Sequence, residues 1–180
     1  DVHSGTGLHL PPSAASTRDT TWVAWAGCTG GNIRIHAART DGAGAEPDLL
    51  SRCGVDAFRP QLVIRGDRPF AAWDEYRDGT YRIVFSEFNG ADWIEVGSLG
   101  RDHERWLCPR VVSDGTNVYA CWIVLTDVID DRGIVDHAAM GMAARFDGNS
   151  LTILSDQDAG GEPRRIADLR EGLLASRIYK

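Results

Sequence analysis

The 180-residue chain lacks long apolar runs and an excess of positive charge. No stretch approaches the roughly 20 consecutive apolar residues that a membrane-spanning helix needs, so we expect no membrane span. Lys and Arg number 19 against 26 Asp and Glu, which gives a net charge of −7 at pH 7. Nucleic-acid binding rests on clustered basic residues that neutralise phosphates, so this balance argues against a nucleic-acid partner.

Closely spaced cysteine pairs are also missing. Cys28, Cys53, Cys108 and Cys121 show no CxxC spacing of the kind found in zinc ribbons and thioredoxin-like sites. They are either disulfides or buried thiols, and as disulfides we predict the pairs Cys108–Cys121 and Cys28–Cys53. The chain opens at Asp1 rather than Met, for which a removed signal peptide is one interpretation. These features favour a secreted or extracellular protein.

Known catalytic and metal-binding motifs are absent as well. His36, His103 and His137 are scattered along the chain, and no HExxH spacing occurs. There is no nucleophile elbow, phosphate-cradling loop or kinase signature. The sequence therefore predicts no metal centre, and it leaves open whether the protein is an enzyme, with a non-enzymatic role favoured.

The sequence does contain an internal repeat, in which a Pro is followed 13 residues later by a Trp. The motif occurs at Pro12 and Trp25, at Pro60 and Trp73, and at Pro109 and Trp122. Successive Trp residues are 48 and 49 positions apart, and Pro163 opens a fourth copy in which Ser176 takes the Trp position. Self-similarity at a fixed period of this length indicates a repeat architecture.

Turn signals and alternating residues predict that each copy is made of β-strands. Asx-Gly pairs stand at Asp41-Gly42, Asn89-Gly90 and Asp147-Gly148, and such pairs suit two-residue hairpin turns because both central positions need positive φ. Between the landmarks, apolar and polar residues alternate, as at Tyr81, Ile83 and Phe85. Period two is typical of half-buried strands, and no helical stripe competes with it.

Four antiparallel strands in about 49 residues match a β-propeller blade, with one strand starting at the Pro and the next ending at the Trp. We predict an all-β partial ring of three blades (residues 11–57, 58–106 and 107–160) plus an incomplete fourth (161–180), within a single domain over residues 1–180. The repeated Trp residues should pack between blades. Another chain, or sequence beyond these residues, should complete the ring.

These features resemble the sialidase-type and TolB-type propeller repeats of bacterial proteins. The matching stretch runs from Arg59 to Trp93, with Pro60-Gln61-Leu62, Ala71-Ala72-Trp73 and Tyr76-Arg77-Asp78-Gly79. The resemblance covers roughly residues 11–176 and implies the propeller architecture. The sialidase signature turn Ser-x-Asp-x-Gly-x-Thr-Trp is absent, and Ser113-Asp114-Gly115-Thr116 matches it only in part. Such repeats occur in glycosidases, lectins and scaffolds alike, so we carry over no catalytic residue.

The predicted ligand face is formed by the loops between second and third strands, over Ala26 to Gly31, Asp74 to Thr80 and Ile123 to His137. The third loop is longer than its equivalents by nine residues and is acidic. Candidate ligand-binding residues are Asp74, Glu75, Tyr76, Arg77, Asp127, Asp130, Asp131 and Arg132. The acidic loop is either solvated or a calcium site, and no other cofactor is expected.

Two functions follow from different classes. The first is an extracellular recognition or scaffold module that binds a glycan or a protein partner through its loop face. The alternative is part of a sialidase-like glycoside hydrolase or lyase whose catalytic residues lie on blades outside this sequence. A further interpretation pairs Asp74 or Glu75 with Asp127 or Asp130 as the two carboxylates of a glycosidase.

Overall fold

A computed structural model describes residues 11–41, 46–129, 133, 135–154 and 164–165. All regular structure among them is β-strand, which confirms the prediction of an all-β chain. The strands are β1 Ser13–Ser16, β2 Thr21–Thr29, β3 Asn32–Arg39, β4 Asp48–Leu49, β5 Asp56–Arg65, β6 Arg68–Arg77, β7 Thr80–Phe88, β8 Trp93–Leu99, β9 Glu104–Ser113, β10 Val118–Ile129, β11 Val135–Phe146, β12 Leu151–Leu154 and β13 Arg164–Arg165. These residues include no helix that could cross a membrane.

The strands pair as three successive antiparallel groups of four, in chain order. We call these the first sheet (β1–β4), the second sheet (β5–β8) and the third sheet (β9–β12). A single parallel bridge between Tyr81 and Arg105 links the second sheet to the third. Strand β13 pairs with β11 and so extends the third sheet. Over the described ranges no sheet closes on itself, and the predicted fourth copy lies outside them except for β13.

The sheets pack face to face in chain order. Side chains alternate between the two faces of each strand, so the second sheet can bury one face against the first sheet and the other against the third. Trp22 and Ala24 of the first sheet share a buried cluster with Trp73 of the second. On the opposite face of the second sheet, Phe70 shares another buried cluster with Trp122 of the third. Trp73 and Trp122 therefore occupy equivalent positions in successive repeats, and each packs between its own sheet and the preceding one. Burial of each such side chain contributes roughly 1.5–3 kcal/mol.

In the first copy β1 begins directly after Pro12, as predicted, but the strand ends predicted at the other landmarks are wrong. Pro60 lies within β5, Pro109 within β9 and Trp73 within β6. Pro60 and Pro109 each lie in a β-bulge, which accommodates a residue that has no N–H to donate, so the strand continues through the proline. Because the second strand of each copy continues beyond its Trp, most of the predicted ligand-face loops Ala26 to Gly31 and Asp74 to Thr80 is strand.

The residue before each of these prolines has left-handed backbone geometry. Arg59 has φ 52° and Cys108 has φ 59°. The register of β5 against β6 shifts between Phe58 and Gln61, and that of β9 against β10 shifts at the same place in the repeat. Left-handed geometry is costly for residues other than Gly, so two equivalent positions of the repeat hold backbone strain.

The Asx-Gly hairpins at Asn89-Gly90 and Asp147-Gly148 lie where predicted, but their geometry differs. At Asn89 and at Asp147 a side-chain oxygen accepts hydrogen bonds from the backbone N–H groups two and three residues further on. Only the following Gly has positive φ, 109° at Gly90 and 99° at Gly148. These are four-residue Asx turns, because the side chain supplies the acceptor that a two-residue turn would take from the backbone. Gly42 of the remaining pair lies outside the described residues.

The extra residues of the third copy lengthen its central hairpin. Strands β10 and β11 have 12 residues each, whereas β6 has 10 and β7 has 9. The predicted loop from Ile123 to His137 is therefore strand up to Ile129 and again from Val135. Asp130, Asp131 and Arg132 lie outside the described residues.

Neither predicted disulfide is present, and all four cysteines are free. The register of the β9–β10 hairpin sets Cys121 opposite Arg110 rather than Cys108. Cys121 is also exposed, although its equivalents Ala24 and Ala72 are fully buried. The reason is that Cys121 lies on the face of the third sheet turned away from the second, which no other described sheet covers.

Candidate functional site

Those predicted site residues that the structure describes lie at one end of the sheets, which we call the connecting end. It carries the turns at Thr29–Asn32 and Asp78–Gly79 and the segment Gly100–His103, which connects the second sheet to the third. Asp74, Glu75, Tyr76 and Arg77 are the last four residues of β6. Asp127 lies near the end of β10. Five of the eight predicted residues are thus located, and Asp130, Asp131 and Arg132 are not described.

Asp74 is fully buried and is held by Arg59. Arg59 donates from Nε to Oδ1 at 2.8 Å and from Nη2 to Oδ2. The backbone N–H of Cys108 donates to the same Oδ1 at 3.3 Å. Burial raises the pKa of Asp74 above its ordinary value, and the hydrogen bonds from Arg59 and Cys108 oppose that rise. Both strained residues, Arg59 and Cys108, therefore serve one carboxylate.

Glu75 points to the opposite face of β6, because consecutive strand residues alternate. It accepts a hydrogen bond from Trp73 Nε1 at 3.3 Å, and its Oε1 lies 3.6 Å from Arg77 Nη1. Burial raises the pKa of Glu75, although the Trp73 hydrogen bond opposes the rise. Since Asp74 faces the third sheet and Glu75 the first, the two cannot flank one scissile bond.

Aromatic side chains lie next to Asp74 on the face toward the third sheet. Tyr76 is 44% exposed, and its ring centroid is 5.0 Å from that of Tyr81. The Tyr81 ring lies 6.3 Å from that of Phe58, over which the Arg59 guanidinium sits at 5.7 Å. We call Tyr76, Tyr81 and Phe58 the aromatic row. It ends in a cation and presents ring surface to solvent at Tyr76.

Asp127 belongs to a separate, half-exposed network on the third sheet. Arg105 Nη2 lies 2.5 Å from Asp127 Oδ1, and His137 Nδ1 lies 2.8 Å from the same oxygen. The three residues come from the adjacent strands β9, β10 and β11. Exposed ion pairs contribute little to stability, so this network is mainly a polar feature of the surface.

Each described carboxylate of the predicted site thus has its own arginine. Arg59 serves Asp74, Arg77 serves Glu75 and Arg105 serves Asp127. A general acid or base must exchange a proton with the substrate, and an arginine beside a carboxyl group favours its ionised form over the protonated form. The arrangement suits hydrogen bonding to a ligand better than proton transfer.

Sequence reasoning missed the partners of these acids. Arg59, Tyr81 and Phe58 were not among the candidates, nor were Arg105 and His137. A signal for Arg59 existed, because it immediately precedes the landmark Pro60 while Asp74 immediately follows the landmark Trp73. In an aligned repeat the two positions lie on paired strands.

The acidic loop, for which the sequence leaves a solvated loop and a calcium site as alternatives, lies partly outside the described residues. Among them, no group of three or more His, Cys, Asp or Glu side chains is arranged to hold a metal ion. The acidic residues Asp130 and Asp131, on which the expectation rests, are not described.

Comparison of the chain with models of known protein families and with curated proteins finds no match. The functional interpretation therefore rests on the geometry of the connecting end.

Proposed function

We propose that this chain is a segment of a β-propeller that works as a non-catalytic, extracellular recognition module and binds a glycan through its connecting end. The propeller interpretation is supported by three successive four-stranded antiparallel sheets that pack face to face. Repetition of a single four-stranded unit around an axis is how propellers bury both faces of every sheet. Further sheets, from another chain or from other sequence, would complete the ring.

The observation that carries the binding proposal is the aromatic row beside the Arg59–Asp74 ion pair. Binding sites combine apolar and aromatic surface with a few fixed polar groups. Sugar rings offer apolar C–H faces that pack on aromatic rings, and hydroxyl groups that bond to carboxylates and guanidinium groups. Tyr76 offers the ring surface, and Arg59 is 35% exposed, so some of its donors reach solvent.

A glycan array tests the proposal with the wild-type chain, Tyr76→Ala and the control Val112→Ala. Val112 is an exposed apolar residue at the opposite end of the third sheet, 64% exposed. We expect the wild type and Val112→Ala to bind the same glycans, and Tyr76→Ala to bind about tenfold more weakly. A folded wild-type chain that binds no glycan contradicts the proposal. Binding to a protein partner instead would keep the recognition role and replace the ligand.

The second candidate function is part of a glycoside hydrolase or lyase. It is favoured by the raised pKa of Asp74 and of Glu75, since burial of a carboxyl group is how a general acid is kept protonated. Against it, both carboxyl groups are covered and they lie on opposite faces of β6. Turnover of a panel of fluorogenic glycosides would favour the enzyme, and Asp74→Asn should then abolish it.

A further inference from the structure

A second polar cluster occupies the gap between the first and second sheets at the connecting end, on the side of β6 away from the aromatic row. It contains Glu75 and Arg77 of β6 and Arg82 of β7, which is directly opposite Glu75 in the register. We call these three residues the inter-sheet corner. Residues opposite each other on neighbouring strands have Cβ atoms about 5 Å apart, so their side chains share one space.

Each corner residue has one buried polar atom without a hydrogen-bond partner among the described residues: Glu75 Oε1, Arg77 Nη1 and Arg82 Nε. Glu75 Oε1 and Arg77 Nη1 form an ion pair with each other, but at 3.6 Å they are too far apart for a hydrogen bond. Buried polar groups in native proteins are almost always bonded to protein, water or ligand. Glu75 is the floor of the corner, with only 1% of its side chain exposed, whereas the side chains of Arg77 and Arg82 are 17% and 24% exposed. The corner is therefore reached from solvent along the two arginines.

The three unpartnered atoms comprise two donors and one acceptor. A hydroxyl group has the complementary set, since its oxygen accepts two hydrogen bonds and its hydrogen is donated. The surrounding charge favours a neutral ligand. Arg52 bonds to Glu95 through both oxygens, and Asp102 lies 3.5 Å from Arg82. Asp78 Oδ2 also lies 3.9 Å from Arg77 Nε, so with Glu75 and the two corner arginines there are three cationic and four anionic side chains. This balance disfavours an anionic ligand, and the two unpartnered donors disfavour a cationic one.

The geometry of the corner is also fixed in advance. A Cβ at Gly100 would lie 2.7 Å from Arg82 Cγ and 3.4 Å from Arg82 Cα, so the absence of a side chain at Gly100 leaves the space that the stem of that arginine occupies. Arg77 is held from its other side by Ser98, with Nη2 donating to Oγ at 3.4 Å. Preorganised donors lose less entropy when a ligand binds.

We infer that the inter-sheet corner binds one hydroxyl group of a polyhydroxylated, neutral ligand. Its oxygen accepts from Arg77 Nη1 and Arg82 Nε, and its hydrogen is donated to Glu75 Oε1. The inference rests on the proposed function and gives it a second subsite. Tyr76 lies between Glu75 and Arg77 in the chain but on the opposite face of β6. A glycan that straddles the Asp78–Gly79 turn therefore meets the aromatic row on one side and the corner on the other.

Arg82→Lys is the variant that isolates the corner. Lysine has a methylene where arginine has Nε, so the change removes the donor and keeps the charge beside Asp102. Arg68→Lys is the matched control, because Arg68 is an exposed residue at the opposite end of β6. The ligands are the methyl glycosides of disaccharides composed of glucose, galactose, mannose and N-acetylglucosamine, because one sugar unit cannot meet both faces of β6. The monodeoxy analogues of whichever disaccharide binds complete the series, and binding is measured by isothermal titration calorimetry.

We expect Arg82→Lys to weaken binding about tenfold, and Arg68→Lys to leave it unchanged. One monodeoxy analogue should lose a similar factor on the wild type and nothing further on Arg82→Lys. The analogue series on the wild type needs no variant, so the test survives if Arg82→Lys fails to fold.

Two outcomes would overturn the inference. If every monodeoxy analogue binds the wild type as well as the parent sugar while Tyr76→Ala still weakens binding, the corner holds solvent water only and the proposed function stands. If the folded wild type binds none of the glycosides and none of the arrayed glycans, both proposals fail.

Discussion

The ion pair between Arg59 and Asp74 predicts that its two residues are unequal in their effect on stability. Asp74 is completely buried, whereas 35% of the Arg59 side chain is exposed. Removing one partner of a buried pair costs about 3–5 kcal/mol, because the remaining charge is left uncompensated. Arg59→Ala leaves a buried carboxylate with a single hydrogen bond, from Cys108 N–H. Because solvent screens the exposed part of Arg59, we take the lower end, about 3 kcal/mol.

Asp74→Ala should cost less, because the guanidinium that it leaves behind already reaches water. We expect about 1–2 kcal/mol, from the lost hydrogen bonds and the unpartnered Cys108 N–H. The double variant should resemble Asp74→Ala alone, since removal of the carboxylate also removes the penalty of leaving it unpaired. Urea unfolding followed by tryptophan fluorescence gives all three values.

The pH dependence of the two variants separates this explanation from a simple loss of packing. In Arg59→Ala the carboxylate has lost the group that favoured its ionised form, so the pKa of Asp74 rises further above its unfolded value. The stability deficit is then largest at neutral pH and shrinks as acid protonates Asp74. The deficit of Asp74→Ala should not shrink in this way. Equal costs for both single variants, or an Arg59→Ala deficit independent of pH, would refute the reasoning.

Three further predictions concern other parts of the chain. Burial raises the pKa of Glu75, so the folded protein loses stability as the pH rises through the raised value and Glu75 ionises. Glu75→Gln should therefore unfold at a higher temperature than the wild type at neutral pH, but not at about pH 3. Hydrogen bonds from Asn117 and Thr116 lower the pKa of Asp114, so Asp114→Ala should lower the unfolding temperature at neutral pH, with the difference lost as pH falls through the lowered value. Trp73→Phe should lower the free energy of unfolding in urea by about 1–3 kcal/mol, because Trp73 of the second sheet packs against the first sheet. Trp25→Phe should lower it less, because Trp25 lies on the face of the first sheet that no described sheet covers.

The β-fold could be predicted from the sequence because the signal was repeated. Period-two alternation and the Asx-Gly pairs each mark a strand or a hairpin locally, and three copies of each reinforce the interpretation. The positions of the strand ends could not be predicted, because the landmarks Pro60 and Trp73 fall inside β5 and β6. A proline normally marks a strand boundary, and only the bulge at Arg59 lets β5 continue through it.

The candidate site could be predicted only in part. Asp74 to Arg77 stood out because they are polar residues that follow a buried Trp, and they do lie together at the connecting end. These four residues are divided between two faces because β6 extends to Arg77, whereas we predicted a loop from Asp74 to Thr80. The pairing of Arg59 with Asp74 depends on the bulge register, a tertiary feature that no local pattern encodes.

The polar groups of the second sheet are departures from the repeat, and the repeat itself supplies the comparison. The position after the landmark Trp is Ala26 in the first copy and Ile123 in the third, where the second has Asp74. The position before the landmark Pro is Cys108 in the third copy, where the second has Arg59. The fold is therefore built in the other copies without a charged pair at this place.

Stability alone does not explain the pair, because a buried ion pair is often no better than the apolar residues that could replace it. The left-handed backbone at Arg59 does not explain the pair either, because the equivalent Cys108 has the same geometry and no ion pair. A costly pair that is present in one copy and lies beside an exposed Tyr76 is the arrangement expected if the second sheet carries the ligand contacts and its neighbours provide the support.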